Sequence, residues 1–452
     1  MPKKKTALTI EERLQQALVP AEEQPYEVPE NWVWVRLGAI AEIVTGGTPS
    51  KKQPEYYGGN FPFYKPSDLD QGRLTYDASE YLSEEGKKVS RIIPKNSTAV
   101  CCIGSIGKCG YLMCEGTTNQ QINSAIPKIN SLCLYYYLCT ENFVQNLLSM
   151  ASATTIAIVN KSKMESCAFP LPPLSEQQRI VERIEELFAK LDEAKERLQE
   201  VADSFVVRKA AILHKAFTGE LTKQWRRENG VSDESWEEKK LEEVCSKITD
   251  GTHNSPTNSL SGEYMYVTAK NIKDTGIDLS NITYVTKEVH KEIYSRCDVI
   301  YGDVLYIKDG ATAGIATINT LKEEFSMLSS VALIRTDLKL AKNEFVKDYL
   351  NYRKKEILKN ISGSAITRLT LSKIKDILVP LPTLPEQHEI VRLIDDLLAR
   401  EHKAQQATEQ ALASIDLMKK SILARAFRGE LGTNKASEAS ALELLKQVLA
   451  EN

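Results

Sequence analysis

The chain has 452 residues, of which 42% are hydrophobic and 26% charged, and its formal net charge is −3. This composition is ordinary for a globular protein, and the length predicts two to four domains. The charge gives no bulk signal for nucleic acid, although a local basic patch stays open. No apolar run reaches the ~18 residues of a membrane span. The start lacks the apolar core of a signal peptide, so we expect a cytoplasmic protein with no membrane partner.

Nine cysteines invite a metal or disulfide interpretation. Seven of them lie between Cys101 and Cys167, with no CxxC pair and no histidine among them. Zinc sites need four ligands at short loop spacings, which this distribution does not offer. We therefore predict no metal site, and reduced, partly buried thiols.

The chain begins and ends with similar stretches that are typical of amphipathic helices. Residues 9–18 (TIEERLQQAL) resemble residues 440–449 (SALELLKQVL). The match is short, and chance similarity between two amphipathic helices stays open. If it is meaningful, the first 30 residues pack near the C-terminal tail and close a circle of approximate two-fold symmetry.

Two divergent blocks have the pattern of mixed α/β domains. The β-prone run at 97–103 (STAVCCI) is followed by a glycine-rich turn, and the run at 303–307 (DVLYI) is followed by Asp309-Gly310. Most of the two blocks matches poorly. Their starts match at an offset of 204 residues, which aligns Trp32 with Trp236 and Gly47-Thr48 with Gly251-Thr252.

Residues 169–222 predict a long helix that is entered through Pro170, Pro172 and Pro173. We expect Ser175 at its N-cap and Gly219 just past its end. A helix over residues 176–214 would be roughly 58 Å long at 1.5 Å per residue. Its apolar residues step alternately by four and three, which is the heptad pattern of a coiled coil. These positions are Ile180, Ile184, Leu187, Leu191, Ala194, Leu198, Val201 and Phe205.

The same segment returns at 379–432 without a gap, with 21 of 54 positions identical. A repeat of fixed length indicates that the length itself is specified. The equivalent seam positions are Ile390, Ile394, Leu397, Glu401, Ala404, Thr408, Ala411 and Ile415. We predict that the two helices pair antiparallel; the alternative is an ordinary amphipathic helix lying on its own domain.

Motifs for catalysis are missing from the sequence. Residues 104–108 (GSIGK) lack the spacing of a phosphate-binding P-loop and the Ser or Thr that follows it. Ile103 stands where a Gly-x-Ser-x-Gly nucleophile turn requires glycine. There is no HExxH and no Asn/Asp-Pro-Pro-Tyr loop of amino-methyltransferases. The sequence therefore favours a binding subunit over an enzyme.

The doubled Pro-Leu-Pro-x-Leu-x-Glu-Gln helix that ends in Ala-Phe-x-Gly-Glu-Leu resembles the specificity subunits of type I restriction–modification systems. In the first block, residues 32–37, the loop 45–50 (TGGTPS) and residues 118–121 (TNQQ) also look like that family's pattern. The second block departs from it, with 250–253 (DGTH) in place of the glycine loop and only a weak counterpart of the second motif near 327–330.

This resemblance implies an α+β fold, with two α/β target recognition domains separated by a pair of long antiparallel coiled-coil helices in a pseudo-two-fold repeat. The expected boundaries are an N-terminal segment at 1–30, recognition domains at 31–168 and 236–378, helices at 169–222 and 379–432, a linker at 223–235 and a tail at 433–452. Each recognition domain would read one half of a bipartite, asymmetric site in double-stranded DNA. The helices would set the unread gap.

The resemblance also implies partners and places the cofactors in them. Two modification (methyltransferase) subunits would carry S-adenosylmethionine, and restriction (motor–nuclease) subunits would use ATP and Mg, whereas this chain would hold no cofactor and catalyse nothing. The open alternatives are a fused enzyme and a stand-alone DNA-binding scaffold or repressor.

Candidate contacts are polar and basic residues in the loops of each block, because base edges and phosphates are read by such groups. The first block offers Thr45, Gly47, Thr48, Lys65, Ser67, Lys108, Asn119, Gln120 and Gln121; the second offers Thr252, His253, Lys270, Asn271, Lys308, Thr312 and Arg368. Gln120 and Gln121 suit adenine edges, or are simply turn residues. Arg368 replaces Ile158 of the first copy, which suggests a guanine contact or a surface ion pair.

Phe217 and Phe427 lie in the repeated Ala-Phe-x-Gly-Glu-Leu ends of the two helices. They are candidate anchors for docked subunits, since buried aromatic residues often carry interface energy. The alternative is that they fill the core where each helix meets a domain.

Overall fold

The computed structural model describes residues 9–70, 74–152, 157–359 and 368–451. The chain divides into two compact units. The first comprises residues up to Leu198 together with Gln410 onward, and the second comprises Gln199–Glu409. Within the described ranges, no helix is both long enough and apolar enough to span a membrane.

The first half of the chain contains seven helices and ten strands among its described residues. The helices are α1 (Ile10–Ala17), α2 (Leu37–Ile40), α3 (Glu84–Lys88), α4 (Ser131–Leu138), α5 (Glu141–Met150), α6 (Lys161–Glu165) and α7 (Leu174–Phe217). The strands are β1 (Val33–Arg36), β2 (Ala41–Thr45), β3 (Tyr57–Tyr64), β4 (Leu74–Thr75), β5 (Glu80–Leu82), β6 (Thr98–Cys101), β7 (Cys109–Leu112), β8 (Thr117–Thr118), β9 (Ile122–Pro127) and β10 (Ala168–Leu171).

The second half has a similar but not identical element order. Its helices are α8 (Lys223–Asn229), α9 (Lys287–Arg296), α10 (Asn343–Lys359), α11 (Leu371–Lys375), α12 (Leu384–Ala426) and α13 (Ala441–Ala450). Its strands are β11 (Glu237–Lys240), β12 (Cys245–Asp250), β13 (Tyr264–Val267), β14 (Ile272–Lys273), β15 (Gly276–Ile277), β16 (Thr283–Val285), β17 (Val304–Ile307), β18 (Ala316–Ile318), β19 (Phe325–Met327), β20 (Val331–Thr336) and β21 (Leu378–Leu381).

The two recognition blocks, residues 31–168 and 236–378, have closely similar sheets, although the main sheet of the first block has one more strand and the second block has an additional β14-β15 pair. The main sheet runs β2-β9-β6-β7-β4 in the first block and β12-β20-β17-β18 in the second. A three-stranded sheet runs β5-β3-β8 in the first and β16-β13-β19 in the second, with one parallel pair in each. A two-stranded sheet joins the start and the end of each block, as β1-β10 and β11-β21. The predicted mixed α/β domains and their duplication are therefore confirmed.

Each long helix packs its first turns into the core of the recognition block that precedes it. In the first unit, Ile180 and Ile184 of α7 are fully buried in one cluster with Tyr137 and Phe169. In the second unit, the equivalent residues of α12 pack in one cluster with the strands of the second block. Burying a large aliphatic side chain contributes about 1.5–3 kcal/mol, so these contacts fix the helix on its domain.

The helices α7 and α12 are antiparallel neighbours, as predicted. In the first unit, Lys195 Nζ lies 3.3 Å from Asp416 Oδ1, and Asp192 pairs with Lys419. In the second unit, Arg208 Nε lies 2.8 Å from Glu401 Oε2. The helices have 44 and 43 residues, so α7 is about 66 Å long, a little longer than expected.

The predicted heptad seam is buried only in part. Phe205, Thr408 and Ile415 are buried along with the isoleucines at the helix starts, whereas Ala194, Val201 and Ala404 are exposed. A pair of helices covers only a narrow stripe of each helix, and small side chains at its centre do not fill the gap. The prediction for these three positions is therefore wrong.

The helix entry also differs in detail from the prediction. α7 already begins at Leu174, and the carbonyl of Pro173 accepts from the backbone N–H groups of Glu176 and Gln177 at 3.0 Å. Ser175 thus lies in the first turn and is not the N-cap. Pro170 belongs to β10, where it pairs with Trp34.

The glutamate of the repeated Glu-Gln motif is fully buried at the start of α7. Trp32 Nε1 donates to Glu176 Oε2 at 2.7 Å. Thr433 Oγ1 and Asn434 Nδ2 donate to the same carboxylate at 3.2 and 2.8 Å. One carboxylate therefore joins the start of the recognition block, its own helix and the segment that follows α12.

The second copy repeats this anchor with a charged partner. Glu386, also fully buried, accepts from Thr222 Oγ1 at 2.7 Å and from Arg226 Nη1 at 2.6 Å. Arg226 is itself buried and also donates to the carbonyl of Gly219 at 2.8 Å. A buried carboxylate needs such hydrogen-bonding partners, because its desolvation otherwise costs several kcal/mol.

The glutamine of the motif ties each helix to its own recognition block. Gln177 Oε1 accepts from the N–H of Asn130 at 3.1 Å, and Gln387 Oε1 accepts from the N–H of Lys342 at 2.9 Å. Both amides also donate to the carbonyl of the proline five residues earlier at 2.9 Å. The Glu-Gln motif is therefore a two-residue clamp: its glutamate binds the segment that follows the other long helix, and its glutamine binds the block that precedes its own helix.

The threonines that donate to Glu176 and Glu386 show that the sequence alignment of the two copies is off by one residue at its C-terminal end. The sequence aligns Thr222 with Gly432, whereas the structure places Thr433 on Glu176 as Thr222 is placed on Glu386. Gly432 is thus an inserted residue, and its φ of 72° is one that glycine adopts easily. Gly219 and Gly429, which follow the helices, have φ of 77° and 73°, as expected for helix stops.

The two chain ends are in contact within the first unit. Arg13 Nη1 of α1 donates to the carbonyl of Leu449 in α13 at 3.0 Å. The N–H of Ala441 donates to the carbonyl of Asn31 at 2.9 Å. α1 begins with a capping box formed by Thr9 and Glu12, and Ser440 caps α13.

The buried ion pair yields a stability prediction. Substituting Arg226→Ala leaves Glu386 buried without its cation, which should lower the free energy of unfolding of the second unit by about 3–5 kcal/mol. Urea denaturation of the full chain measures this change. The matched control is Arg227→Ala, an exposed neighbour in α8 that should change stability by less than about 0.5 kcal/mol. Equal effects of the two substitutions would contradict the role given to the pair.

Candidate DNA interface

The first block places a glycine loop directly after β2. The N–H of Gly46 donates to the carbonyl of Ile122 at 2.9 Å, and that of Gly47 donates to the carbonyl of Thr118 at 2.8 Å. A Cβ at Gly46 would lie 2.1 Å from the carbonyl oxygen of Asn119, whereas one at Gly47 would meet no atom within 4 Å. Glycine is therefore required at 46, and the predicted Gly47 is the freer of the two.

The predicted amide cluster, residues 119–121, lies beside this loop, between β8 and β9. Gln120 and Thr48 are exposed, and their side chains are hydrogen-bonded to each other. Asn119 is buried and holds Gln121, because its Nδ2 donates to Gln121 Oε1 at 3.0 Å and its Oδ1 accepts from the N–H of Gln121 at the same distance. Thr48 and Gln120 are thus open to solvent and Gln121 is half-buried, whereas Asn119 orients Gln121.

A second turn of the first block follows β3. The N–H of Lys65 donates to Asp68 Oδ2 at 2.7 Å, which closes the turn and leaves Ser67 exposed at its tip. The Lys65 ammonium pairs with Glu80 at 2.8 Å, so its charge is partly neutralised.

The glycine loop of the second block has an equivalent backbone hydrogen bond at a corrected register. Gly251 takes the place of Gly46, since a Cβ there would lie 1.9 Å from the carbonyl oxygen of Met327. The N–H of Thr252 donates to that carbonyl at 2.9 Å, as Gly47 donates to Thr118. The sequence had aligned Gly251 with Gly47, which is wrong by one residue.

The register also identifies the counterpart of the amide cluster. Because Met327 matches Thr118, Ser329 and Ser330 stand where the first block has Gln120 and Gln121. The weak match at 327–330 is therefore the right segment, but it carries short hydroxyl side chains.

The turn after β13 matches the turn after β3. The N–H of Thr268 donates to Asn271 Oδ1 at 3.0 Å, as Lys65 donates to Asp68. Asn271 is buried and donates to the carbonyl of Asp278 at 3.1 Å, so it holds the turn and is not free for a base. Lys270 is exposed at the position of Ser67.

Lys270 also lines a cavity of about 660 Å³ that reaches the serine segment at Ser330. Lys273, Asn258 and the buried Tyr266 share this lining. The cavity therefore lies between the turn after β13 and the serine segment.

Beneath the two glycine loops the buried polar contacts differ. In the first block, Thr45 Oγ1 donates to Asn123 Oδ1 at 2.8 Å. In the second, the buried carboxylate of Asp250 lies 3.4 Å from the buried ammonium of Lys308. Lys308 is thus a structural cation under the loop, because its side chain is only 3% exposed.

The remaining candidates lie around the loops that follow β6 and β17. Lys108 Nζ pairs with Asp70 at 2.5 Å. Arg368 is exposed and forms a bridge with Asp309, with Nε 3.5 Å from the carboxylate, which matches the surface ion pair left open from the sequence. Thr312 is exposed within the loop between β17 and β18. His253 lies elsewhere, in the glycine loop after β12, where it is exposed 3.6 Å from Asp250.

Two arginines at the glycine loops were missed from the sequence. Arg91 Nη1 donates to the carbonyl of Thr45, and Arg296 Nη2 donates to the carbonyl of Asp250 at 3.3 Å and to that of Gly251 at 3.0 Å. The signal was a repeated Ser-Arg pair at 90–91 and 295–296. A match of two residues is too short to be recognised as a repeat from the sequence alone.

Phe217 and Phe427 are core residues. Phe217 stacks on Tyr352 at 5.3 Å in the second unit, and Phe427 packs edge-on against Tyr137 at 5.1 Å in the first. Both rings are buried, so they fill the core where a helix meets a recognition block. This is the alternative that the sequence left open, and neither ring is available as a free docking anchor.

The cysteines are buried or half-buried thiols within the described residues. Burial raises the pKa of the Cys102 thiol to about 11 and that of Cys297 to about 12. Both stay protonated at neutral pH, so they are poor nucleophiles and metal ligands. The described part of the chain holds no group of three or more His, Cys, Asp or Glu residues that could bind a metal.

Two α/β domains of closely similar topology, each with polar loops and linked to paired long helices, define a duplicated recognition protein. The family model of the type I restriction modification DNA specificity domain matches residues 29–203 and 233–412, and the chain belongs to this family.

Individual relatives agree with this assignment. The type I restriction enzyme EcoBI specificity subunit of Escherichia coli is 27% identical over 461 residues, which cover 94% of this chain and 93% of that protein. The MjaIX specificity subunit of Methanocaldococcus jannaschii is 24% identical and covers 83% of this chain and 90% of its own length.

Solved structures share the fold. The HsdS subunit from Thermoanaerobacter tengcongensis aligns with a TM-score of 0.62 at 19% identity, over 90% of this chain and 99% of that one. A chain from a study of complex assembly and conformational transition of the type I R-M system gives 0.67 at 20% identity, over 90% and 100%.

The adjacent glycines offer a matched pair of substitutions. Gly46→Ala places a methyl group against a backbone carbonyl, so the loop must shift, at a cost of about 1–3 kcal/mol. Gly47→Ala meets no neighbour and should be tolerated. Urea denaturation of both variants measures the difference. If alanine at 47 were as destabilising as at 46, the loop geometry described above would be incorrect.

Proposed function

We propose that this chain is the non-catalytic specificity subunit of a type I restriction–modification complex. Each recognition domain would read one half of a bipartite, asymmetric DNA site. The proposal is supported by membership of the DNA specificity family and by relatives named as specificity subunits over nearly their whole length.

One observation carries the proposal that the two domains read different half-sites. Loops of similar backbone shape in the two domains bear different side chains at equivalent positions. Thr48 is matched by His253, and Ser67 by Lys270. Gln120 and Gln121 are matched by serines. Base edges are read by hydrogen-bonding side chains, so two loops of one shape with different side chains would read different bases.

The long helices would set the gap between the half-sites. Half-sites on one face of DNA are about 34 Å apart for one helical turn. Two helices of 44 and 43 residues are long enough to fix such a distance, and adding one helical turn would shift it by about 5.4 Å. This requirement explains why the helical repeat has no internal gap.

The helices would also dock two methyltransferase subunits, which supply S-adenosylmethionine and the adenine methylation chemistry. Restriction subunits would add ATP- and Mg-dependent motor and nuclease activity. Exposed apolar side chains on the helices support docking, namely Val206 at 77% and Val207 at 69% on α7, and Leu417 at 66% and Met418 at 51% on α12. These side chains are accessible for packing against a docked subunit.

A domain exchange tests the proposal that the two domains read different half-sites. Residues 236–378 are replaced by the equivalent segment of a family member with a different target, and the complex with its methyltransferase subunits is used to methylate genomic DNA. Mapping of methylated adenines should show one half-site changed and the other half and the gap retained. The reciprocal exchange of residues 31–168 is the control, and it should change the opposite half.

Two results would contradict the proposal. A change in both half-sites after one exchange would show that the domains do not read separately. Methyl transfer by the isolated chain would show that it is an enzyme in its own right.

A further inference from the structure

Arg91 and Arg296 occupy equivalent places in the two recognition domains. Each donates to the carbonyl of the residue that ends the strand before the glycine loop, Thr45 in the first domain and Asp250 in the second. These two residues are equivalent, because each lies opposite the same position of the central strand, Asn123 in β9 and Ala332 in β20.

The equivalence holds although the segments around the arginines differ. Arg91 lies in the loop after the short helix α3, whereas Arg296 is the last residue of the ten-residue helix α9. Both arginines follow a serine, and one additional residue then separates Arg296 from the next strand. Different local structures therefore bring the same side chain to the same carbonyl.

Both guanidinium groups are positioned by the protein and left open to solvent. The Arg296 side chain is 51% exposed, and Arg91 is exposed. In each, one terminal nitrogen binds the loop, and the other N–H groups have no partner among the described residues. A guanidinium has five N–H donors, so each arginine retains several for a ligand.

The contacts that hold the two guanidinium groups at the glycine loops do not neutralise their positive charge. Arg91 binds a neutral carbonyl and has no acidic partner within the described ranges. Arg296 pairs with the Asp250 carboxylate, which also lies 3.4 Å from Lys308. Lys308 in turn lies 3.3 Å from Asp309, which is 3.5 Å from Arg368, so three cations share two anions. Positive charge therefore remains beside both glycine loops.

We propose that Arg91 and Arg296 each bind a phosphate of the DNA backbone next to the glycine loop and so fix the register of their domain on the duplex. This inference rests on the proposed DNA-reading function. Phosphate contacts position a protein without carrying sequence information, whereas base contacts specify. A residue that is the same in two domains with otherwise different loop side chains fits the shared task, and the variable positions fit base reading.

The test is the salt dependence of DNA binding by the complex of the full chain with its methyltransferase subunits. The DNA carries the site mapped by methylation for the unaltered complex. Each phosphate contact contributes about 0.9 to the slope of log K against log salt, so Arg91→Ala and Arg296→Ala should each reduce the slope by about 0.9, and the double variant by about twice that. The sequence preference of the complex should not change.

Matched variants separate this effect from others. Arg227→Ala removes one exposed positive charge outside both recognition domains and should leave the slope unchanged. Arg91→Lys and Arg296→Lys keep the charge beside the loop and should restore the slope. Urea denaturation of each variant confirms that the domains are folded.

Three outcomes would overturn the inference. An unchanged slope in folded alanine variants would show that the arginines only brace the loop. A slope that lysine fails to restore would exclude a charge-based contact. Relaxed preference at one base pair would make the arginine a base reader. Failure of the proposed function is distinguishable, because the unaltered complex would then show no bipartite methylation site.

Discussion

The burial of two carboxylates, Glu176 and Glu386, is the interaction on which the repeated architecture depends. A buried charge is tolerated only when hydrogen-bond donors surround it, and each carboxylate obtains donors from the segment that follows the opposite long helix. In the first unit the block's initial tryptophan adds an indole N–H, and in the second a buried arginine adds the charge. Three segments distant in sequence are thus fixed at one point in the first unit, and two in the second.

This constraint gives a physical reason why the helical repeat has no internal gap. The donor segment must arrive at the carboxylate, so the length of the helix that delivers it is determined by packing as well as by any spacing function. The single additional residue, Gly432, lies beyond the helix, where a loop absorbs it. The neighbouring glutamine then holds the helix to its own block through backbone groups, which makes the clamp independent of the side chains that differ between the blocks.

The recognition domains show how one backbone can carry two different surfaces. Both glycine loops are fixed by backbone hydrogen bonds and by a glycine that has no room for a Cβ. Beneath them, a neutral Thr45–Asn123 contact in one domain is replaced by an Asp250–Lys308 ion pair in the other. Backbone bonding keeps the loop shape while side chains vary, which is the property that a pair of readers with separate targets requires.

The sequence by itself determined the duplication, the two long helices, their antiparallel pairing and the family, because heptad spacing and a 54-residue repeat are local patterns. It also found both glycine loops and the segment at 327–330. Only the tertiary structure decided which of the loop residues face outward: Asn119, Asn271 and Lys308 are buried, and Arg91 and Arg296 were not foreseen. The reason is physical, since exposure and loop register follow from the pairing of strands that are far apart along the chain.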